Sequence, residues 1–161
     1  MENTYSSREI LNIAVKIEEN GYDFYEDLSK TAKDEKLKIL FHELADMETS
    51  HRKTFIAMLN NVPDDDFETL SSYGFSDETF QYLNAIADSK IFKKGEKYGL
   101  DTNEDILTAF AIAIGLEKDS IIFYYEVMAY ISEKHKTTLQ NILSEEKQHL
   151  ITLSKKRQEY L

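Results

Sequence analysis

Four stretches of this chain carry apolar residues at spacings of three and four, and each sets a glutamate at the middle of its apolar face. The first runs Leu11, Ala14, Glu18, Gly21, Tyr25, Leu28, and the second Phe41, Leu44, Glu48, His51, Phe55, Met58. The third runs Ile106, Phe110, Ala113, Glu117, Ser120, Tyr124, and the fourth Leu139, Ile142, Glu146, His149, Leu153. Such spacing marks one buried face of a helix. The chain is therefore expected to be all-α, with four long helices whose faces meet in one interior. One Pro and five Gly in 161 residues leave little to interrupt them. The 42% of hydrophobic residues suffices for a core, and the length fits a single domain over residues 1–161.

Boundary residues divide the chain further. Ser6 with Glu9 reads as a capping box opening the first helix, which runs to about Thr31. A break near Ala32 to Glu35 precedes a second helix ending near Asn60 and Asn61. Val62–Gly74 holds the lone Pro63 and the acidic run Asp64–Asp66 and reads as an acidic loop. Ser76 caps a short helix over about Asp77 to Phe92, and Lys93–Leu100 reads as loop again. Thr102 with Asp105 opens the third long helix, and a break around Ser132–His135 leads to the last. Short turns make the helices of each pair antiparallel neighbours. The connection between the pairs, roughly 40 residues, exceeds an ordinary loop and must cross the bundle lengthwise. Four long helices with one long crossover, here containing a short helix, is the ferritin-like bundle topology.

The halves repeat. Ala14-Val-Lys-Ile-Glu18 with Phe24-Tyr25 returns as Ala113-Ile-Gly-Leu-Glu117 with Phe123-Tyr124, at an offset of 99 (113 − 14 and 123 − 24). Glu48-x-x-His51 returns as Glu146-x-x-His149, at 98 (146 − 48). An unpaired buried carboxylate costs several kcal/mol or shifts its pKa until it is neutral, and four in one layer repel one another. Two divalent cations remove both penalties. Glu and His at i and i+3 lie on one helix face, about 4.5 Å apart along the axis. One Glu from each of two helices plus Glu-x-x-His from each of the others is the ligand set of di-iron and di-manganese carboxylate bundles. The expected ligands are Glu18, Glu48 and His51 for one ion and Glu117, Glu146 and His149 for the other, with Glu48 and Glu146 bridging. A lone Glu-x-x-His would carry little weight. His42, one step off its seam, and His135, in a turn, lack a seam Glu three residues before them and read as surface residues.

The stretches Glu18-Glu-Asn-Gly-Tyr-Asp-Phe-Tyr25, Leu40-Phe-His-Glu-Leu-Ala-Asp-Met-Glu48-Thr-Ser-His51, Glu117-Lys-Asp-Ser-Ile-Ile-Phe-Tyr124 and Glu145-Glu-Lys-Gln-His149 resemble the rubrerythrin-type branch of the ferritin-like family, over nearly the whole chain. The resemblance implies a non-haem site of two iron ions that reacts with hydrogen peroxide or dioxygen, while the oxygen and nitrogen donors themselves would accept manganese or zinc as well. It also makes a homodimer plausible. Rubrerythrins proper carry a rubredoxin-like iron centre held by four Cys. This chain has no Cys, so electrons are expected from a separate donor protein such as a rubredoxin. The family's third helix also offers an extra Glu three residues after the first, where this chain has Ser120; that departure bears on peroxidase activity. The remaining six residues resemble ferroxidase and oxygen-activating centres equally well. Peroxide or oxygen detoxification thus stands beside two rivals: ferroxidation for iron handling, and a non-catalytic metal-binding bundle.

Other features bound the rest. The net charge of −11 argues against nucleic acid and anionic membranes as partners. No apolar run approaches the ~20 residues of a membrane span, and the polar start, Met1 to Ser7, lacks a signal pattern, so a cytoplasmic location is expected. Tyr25 and Tyr124 lie two turns beyond Glu18 and Glu117; their hydroxyls either serve ligand carboxylates in proton or electron movement or belong to core aromatics. Glu19 and Glu145 point about 100° away from the ligands beside them and read as solvated. Gly21 and Ser120, equivalent in the repeat, either leave room for substrate or allow close helix packing.

Overall fold

The computed structural model describes residues 6–62, 75–88 and 98–161. Its helices are α1 (Ser7–Thr31), α2 (Glu35–Asn60), α3 (Asp77–Ala87), α4 (Asn103–Val127) and α5 (Glu133–Gln158). The chain is an all-α, ferritin-like bundle of four long helices, with α3 in the crossover.

The helix starts follow their capping residues. The Glu9 carboxylate accepts the Ser6 backbone N–H at 2.8 Å. Asp34 accepts the Lys36 N–H at 2.7 Å ahead of α2, and Ser76 accepts the Thr79 N–H at 3.2 Å ahead of α3. Thr102 and Asp105 exchange bonds of 2.9 and 3.1 Å at the head of α4. Each such cap contributes about 1 kcal/mol by serving N–H groups that have no partner within the helix. Helix α3 ends at Ala87, capped by Asp88, short of the expected Phe92. Residues 89–97, with the start of the second expected loop, lie outside the described residues, as do residues 63–74 with Pro63 and Asp64–Asp66. His135 sits in the first turn of α5 rather than before it, because Ser132 takes the N-cap position.

Helices α1 and α2 pack as one hairpin and α4 and α5 as another, while α3 lies against α1 and α4. The buried apolar residues form two clusters, one towards each end of the bundle. One gathers Leu11, Ala14, Phe55, Met58, Tyr124, Leu139 and Ile142 with Leu83 of α3. The other gathers Tyr25, Leu28, Phe41, Leu44, Phe110 and Leu153 with Leu100 of the crossover. The start of α1 thus meets the end of α4, and the end of α2 meets the start of α5, so neighbours run antiparallel across the hairpins too. The crossover leaves α2 at the first cluster and enters α4 at the second, travelling the length of the bundle. Ile106 is an exception to the seam, only half-buried near the head of α4, while its neighbour Ala109 is fully enclosed. No described helix is long and apolar enough to cross a membrane.

Candidate metal centre

Between the two apolar clusters lies a polar layer. Glu18, Glu48, His51, Glu117, Glu146 and His149 are each at most 4% exposed. Their ligand atoms form two groups, Glu18 with Glu48, His51 and Glu146, and Glu48 with Glu117, Glu146 and His149. Within each, one atom per residue lies within 4.8 Å of all the others. The groups share Glu48 and Glu146. The structure therefore brings together all six residues that the sequence singled out, and leaves His42 exposed on the surface between Glu26 and Asp46.

Both imidazoles turn Nδ1 inward. His51 Nδ1 is 3.0 Å from Glu146 Oε1 and 3.5 Å from Glu18 Oε2. His149 Nδ1 is 3.0 Å from Glu146 Oε2, 3.5 Å from Glu117 Oε2 and 3.6 Å from Glu48 Oε1. The rings lie nearly parallel, 23° apart, with centroids 5.7 Å from each other. The contact between His51 and Glu146 is close, yet its geometry is not that of a hydrogen bond: Glu18 Oε2, His51 Nδ1 and Glu146 Oε1 are buried without hydrogen-bond partners. Unsatisfied buried polar atoms are costly and need a reason. A cation among them supplies one, since all three have lone pairs to give. Six such donors, four carboxylates and two imidazoles, fit two divalent ions, and the carboxylates' formal charge of −4 matches theirs. Oxygen and nitrogen donors of this kind suit iron, manganese and zinc.

The electrostatics follow from crowding carboxylates in a dry layer. Burial raises Glu48 well above the usual carboxylate range, helped by Glu146 and Glu18. Burial, then Glu146, pushes Glu117 up to about 8. Burial would lower both histidines, but the carboxylates outweigh it. Glu146 and Glu18 push His51 up to about 11, and Glu117 and Glu146 push His149 up to about 9. Burial would likewise raise Glu146, but the close imidazoles of His149 and His51 hold it down at about 2.

The tyrosines act across the bundle. Tyr25 of α1 donates its hydroxyl to Glu117 Oε1 of α4, and Tyr124 of α4 donates to Glu18 Oε1 of α1. Each serves the glutamate of the facing helix, not that of its own. Burial and the adjacent carboxylates raise both phenols well above their ordinary value, so each keeps its proton.

Gly21 and Ser120 play different parts. A Cβ on Gly21 would lie 3.0 Å from Glu48 Oε2 and 3.2 Å from its Cδ, so the glycine makes room for that carboxylate. Ser120 instead lines a cavity of about 20 Å³ with Ile17, Asn20, Leu116 and Asp119, closed by Ile86 and Ala87 of α3. That volume holds one water-sized molecule. Gly21→Ala is expected to displace Glu48 and weaken metal binding about 10-fold, by analogy with other changes that re-aim a ligand. Helix propensity favours the alanine by about 1 kcal/mol, so thermal unfolding of the metal-free variant should show little loss. Unchanged affinity in a calorimetric titration would mean that Glu48 tolerates the crowding.

Two residues escaped the sequence reading. Glu145, expected to be only solvated, is half-exposed but sets Oε2 2.7 Å from His51 Nε2. Met47 sets its Sδ 3.2 Å from His149 Nε2. Glu19 behaves as expected, on the surface and paired with Arg52. The signal was present in the repeat, since Met47 and Glu145 immediately precede the glutamates of the two Glu-x-x-His motifs. Periodicity along one helix could not show that both reach the histidine of the facing helix.

Comparison with known proteins follows the same lines. The family profile described as Rubrerythrin matches residues 9–156. A crystal structure from Thermotoga maritima, assigned as a ferritin-like diiron-carboxylate protein, superposes with a TM-score of 0.70 at 29% identity, covering 100% of both chains. No curated protein matches the chain.

Proposed function

This chain belongs to the rubrerythrin family, and from that we propose that it is a di-iron protein that reduces hydrogen peroxide or dioxygen, protecting against oxidative stress. The observation that carries the reading is the sharing of Glu48 and Glu146 between two buried ligand groups, the arrangement needed to hold two ions about 3.5–4 Å apart. Two ferrous ions supply, when bound, the electron pair and Lewis acidity that cleavage of an O–O bond requires. The chain's own residues do the remainder. Glu18, Glu48 and His51 hold one ion, Glu117, Glu146 and His149 the other. The apolar clusters above and below keep bulk water out of the layer. The cavity beside Ser120, lined by Ile17, Asn20, Leu116 and Asp119, has room for one molecule the size of water. Tyr25 and Tyr124 keep their phenolic protons and donate hydrogen bonds to Glu117 and Glu18, orienting both carboxylates at the layer where reduction of peroxide to two waters consumes two protons with two electrons. Without Cys the chain holds no second iron centre of the rubredoxin kind, so the electrons come from a separate donor such as a rubredoxin.

Ser120 favours a second reading, ferroxidation for iron handling. It stands where the family's extra glutamate would assist peroxide turnover. Anaerobic ferrous titration of the metal-free chain tests the shared premise, with saturation at about two iron per chain expected. Peroxide oxidising the loaded chain faster than dioxygen would support the first reading. Iron uptake continuing far beyond two under air would replace it with the second, and the absence of tight binding would leave only a structural bundle.

A further inference from the structure

The repeat that relates the two halves also relates the contacts behind the two histidines. Met47 and Glu145 stand at the same offset as the ligand motifs (145 − 47 = 98, as 146 − 48 and 149 − 51). Each reaches across from its own helix to the histidine of the facing one, Glu145 from α5 to His51 and Met47 from α2 to His149. The geometry is therefore close to two-fold, and the chemistry is not. In one half a carboxylate oxygen stands 2.7 Å from the outer nitrogen; in the other a thioether sulfur stands 3.2 Å away.

The difference matters because both rings face the ligand layer with Nδ1. A histidine binds metal through a nitrogen that carries no proton, so its remaining proton must sit on Nε2. At His51 that proton is donated to a carboxylate, a charge-assisted bond that fixes the tautomer, holds the ring plane and increases electron donation from Nδ1. At His149 it meets a thioether, a weak acceptor that packs against the ring but holds the proton loosely. Other ligands do not cancel this difference. Glu48 and Glu146 are common to both groups, and Glu18 and Glu117 each accept one tyrosine hydroxyl in the same manner. Glu145 is 52% exposed, so water weakens its bond and the effect belongs at the lower end of the range for such outer contacts, about 10-fold.

We propose that Glu145 and Met47 are positioning residues that make the two metal positions unequal, the one at His51 filling first and holding its ion about 10-fold more tightly than the one at His149. The proposal rests on the di-metal reading above. It gives the chain an ordered loading sequence and a form with one ion bound at a defined place.

Crystals of metal-free protein given one equivalent of zinc ion, with anomalous scattering measured at the zinc edge, test it. The expected result is strong occupancy beside His51 and weak occupancy beside His149. In Met47→Glu the occupancies should become nearly equal, and in the double variant Met47→Glu with Glu145→Met the preference should reverse. Should a carboxylate at position 47 disturb folding, Glu145→Gln keeps the shape of the contact, and the occupancy ratio should fall several-fold with the melting temperature unchanged. Equal occupancies in the unaltered protein, or a preference that survives the exchange, would overturn the proposal. Zinc at neither position would instead remove the di-metal reading on which it rests.

Discussion

Glu146→Gln is expected to leave the chain with at most one bound metal ion and to lower the stability of the metal-free protein by about 3–5 kcal/mol. Glu146 belongs to both ligand groups, with Oε1 facing His51 and Oε2 facing His149, each at 3.0 Å. An amide offers one acceptor oxygen and turns an NH2 towards the other imidazole. Where the carboxylate faced two rings, the amide faces one and repels the other. In the metal-free protein this breaks a buried ion pair from one side, the costly way to break it. For a chain of this length the melting temperature should fall by about 6–20 °C. Glu18→Gln is the control, since Glu18 belongs to one group only. It should weaken one ion and leave the other bound. Ferrous titration gives the stoichiometries, and thermal unfolding of the stripped variants gives the stabilities. Two ions still bound tightly by the Glu146→Gln variant would mean that Glu146 does not join the groups.

The contrast between Glu146 and Glu145 shows how much the sequence discloses. The three-and-four spacing placed Glu18, Glu48, Glu117 and Glu146 on interior faces, because burial along one helix is a property of that helix alone. The same holds for His51, His149 and the caps at Ser6, Ser76 and Thr102. What lay beyond reach involves two helices at once. Glu145 points away from its own seam, yet a side chain of its length spans to His51 of α2. Tyr25 lies on the face of Glu18 but donates to Glu117. Gly21 could be read as substrate room or close packing until Glu48 was seen to fill the space beside it. Ile106 kept the spacing and still lay at the edge, because a helix near its end has fewer neighbours to cover it.

The metal-free protein is expected to lose stability steeply as the pH rises above 6.5, and the metal-loaded protein to resist the change. His51 and His149 have folded pKa values of about 11 and about 9 against an ordinary 6.5. Raised values mean that the folded chain binds protons more tightly than the unfolded one. Their contribution is therefore complete below 6.5 and is lost as the pH climbs through about 9 for His149 and about 11 for His51. Glu117, raised to about 8 by burial and then Glu146, has the same sign, contributing fully below 4.5 and losing its effect through about 8. Glu146 has the opposite sign: held at about 2, its contribution is present above 4.5 and disappears as the pH falls through about 2. The stability maximum of the metal-free chain should then lie near pH 5, about where these slopes cross. Each proton so held is worth about 1.4 kcal/mol per pH unit, so several kcal/mol should be gone by about pH 9. Metal binding uses the same protons. Near neutral pH they sit on His51, His149 and Glu117, and two divalent ions must displace them, releasing about three protons per chain. Zinc titration in weakly buffered solution, read with a pH indicator, measures that release directly, and apparent affinity should rise with pH over the range in which stability falls. Release of fewer than about two protons would mean that the layer is not held together by protons before metal binds. The carboxylates would then need another source of compensation in the metal-free chain.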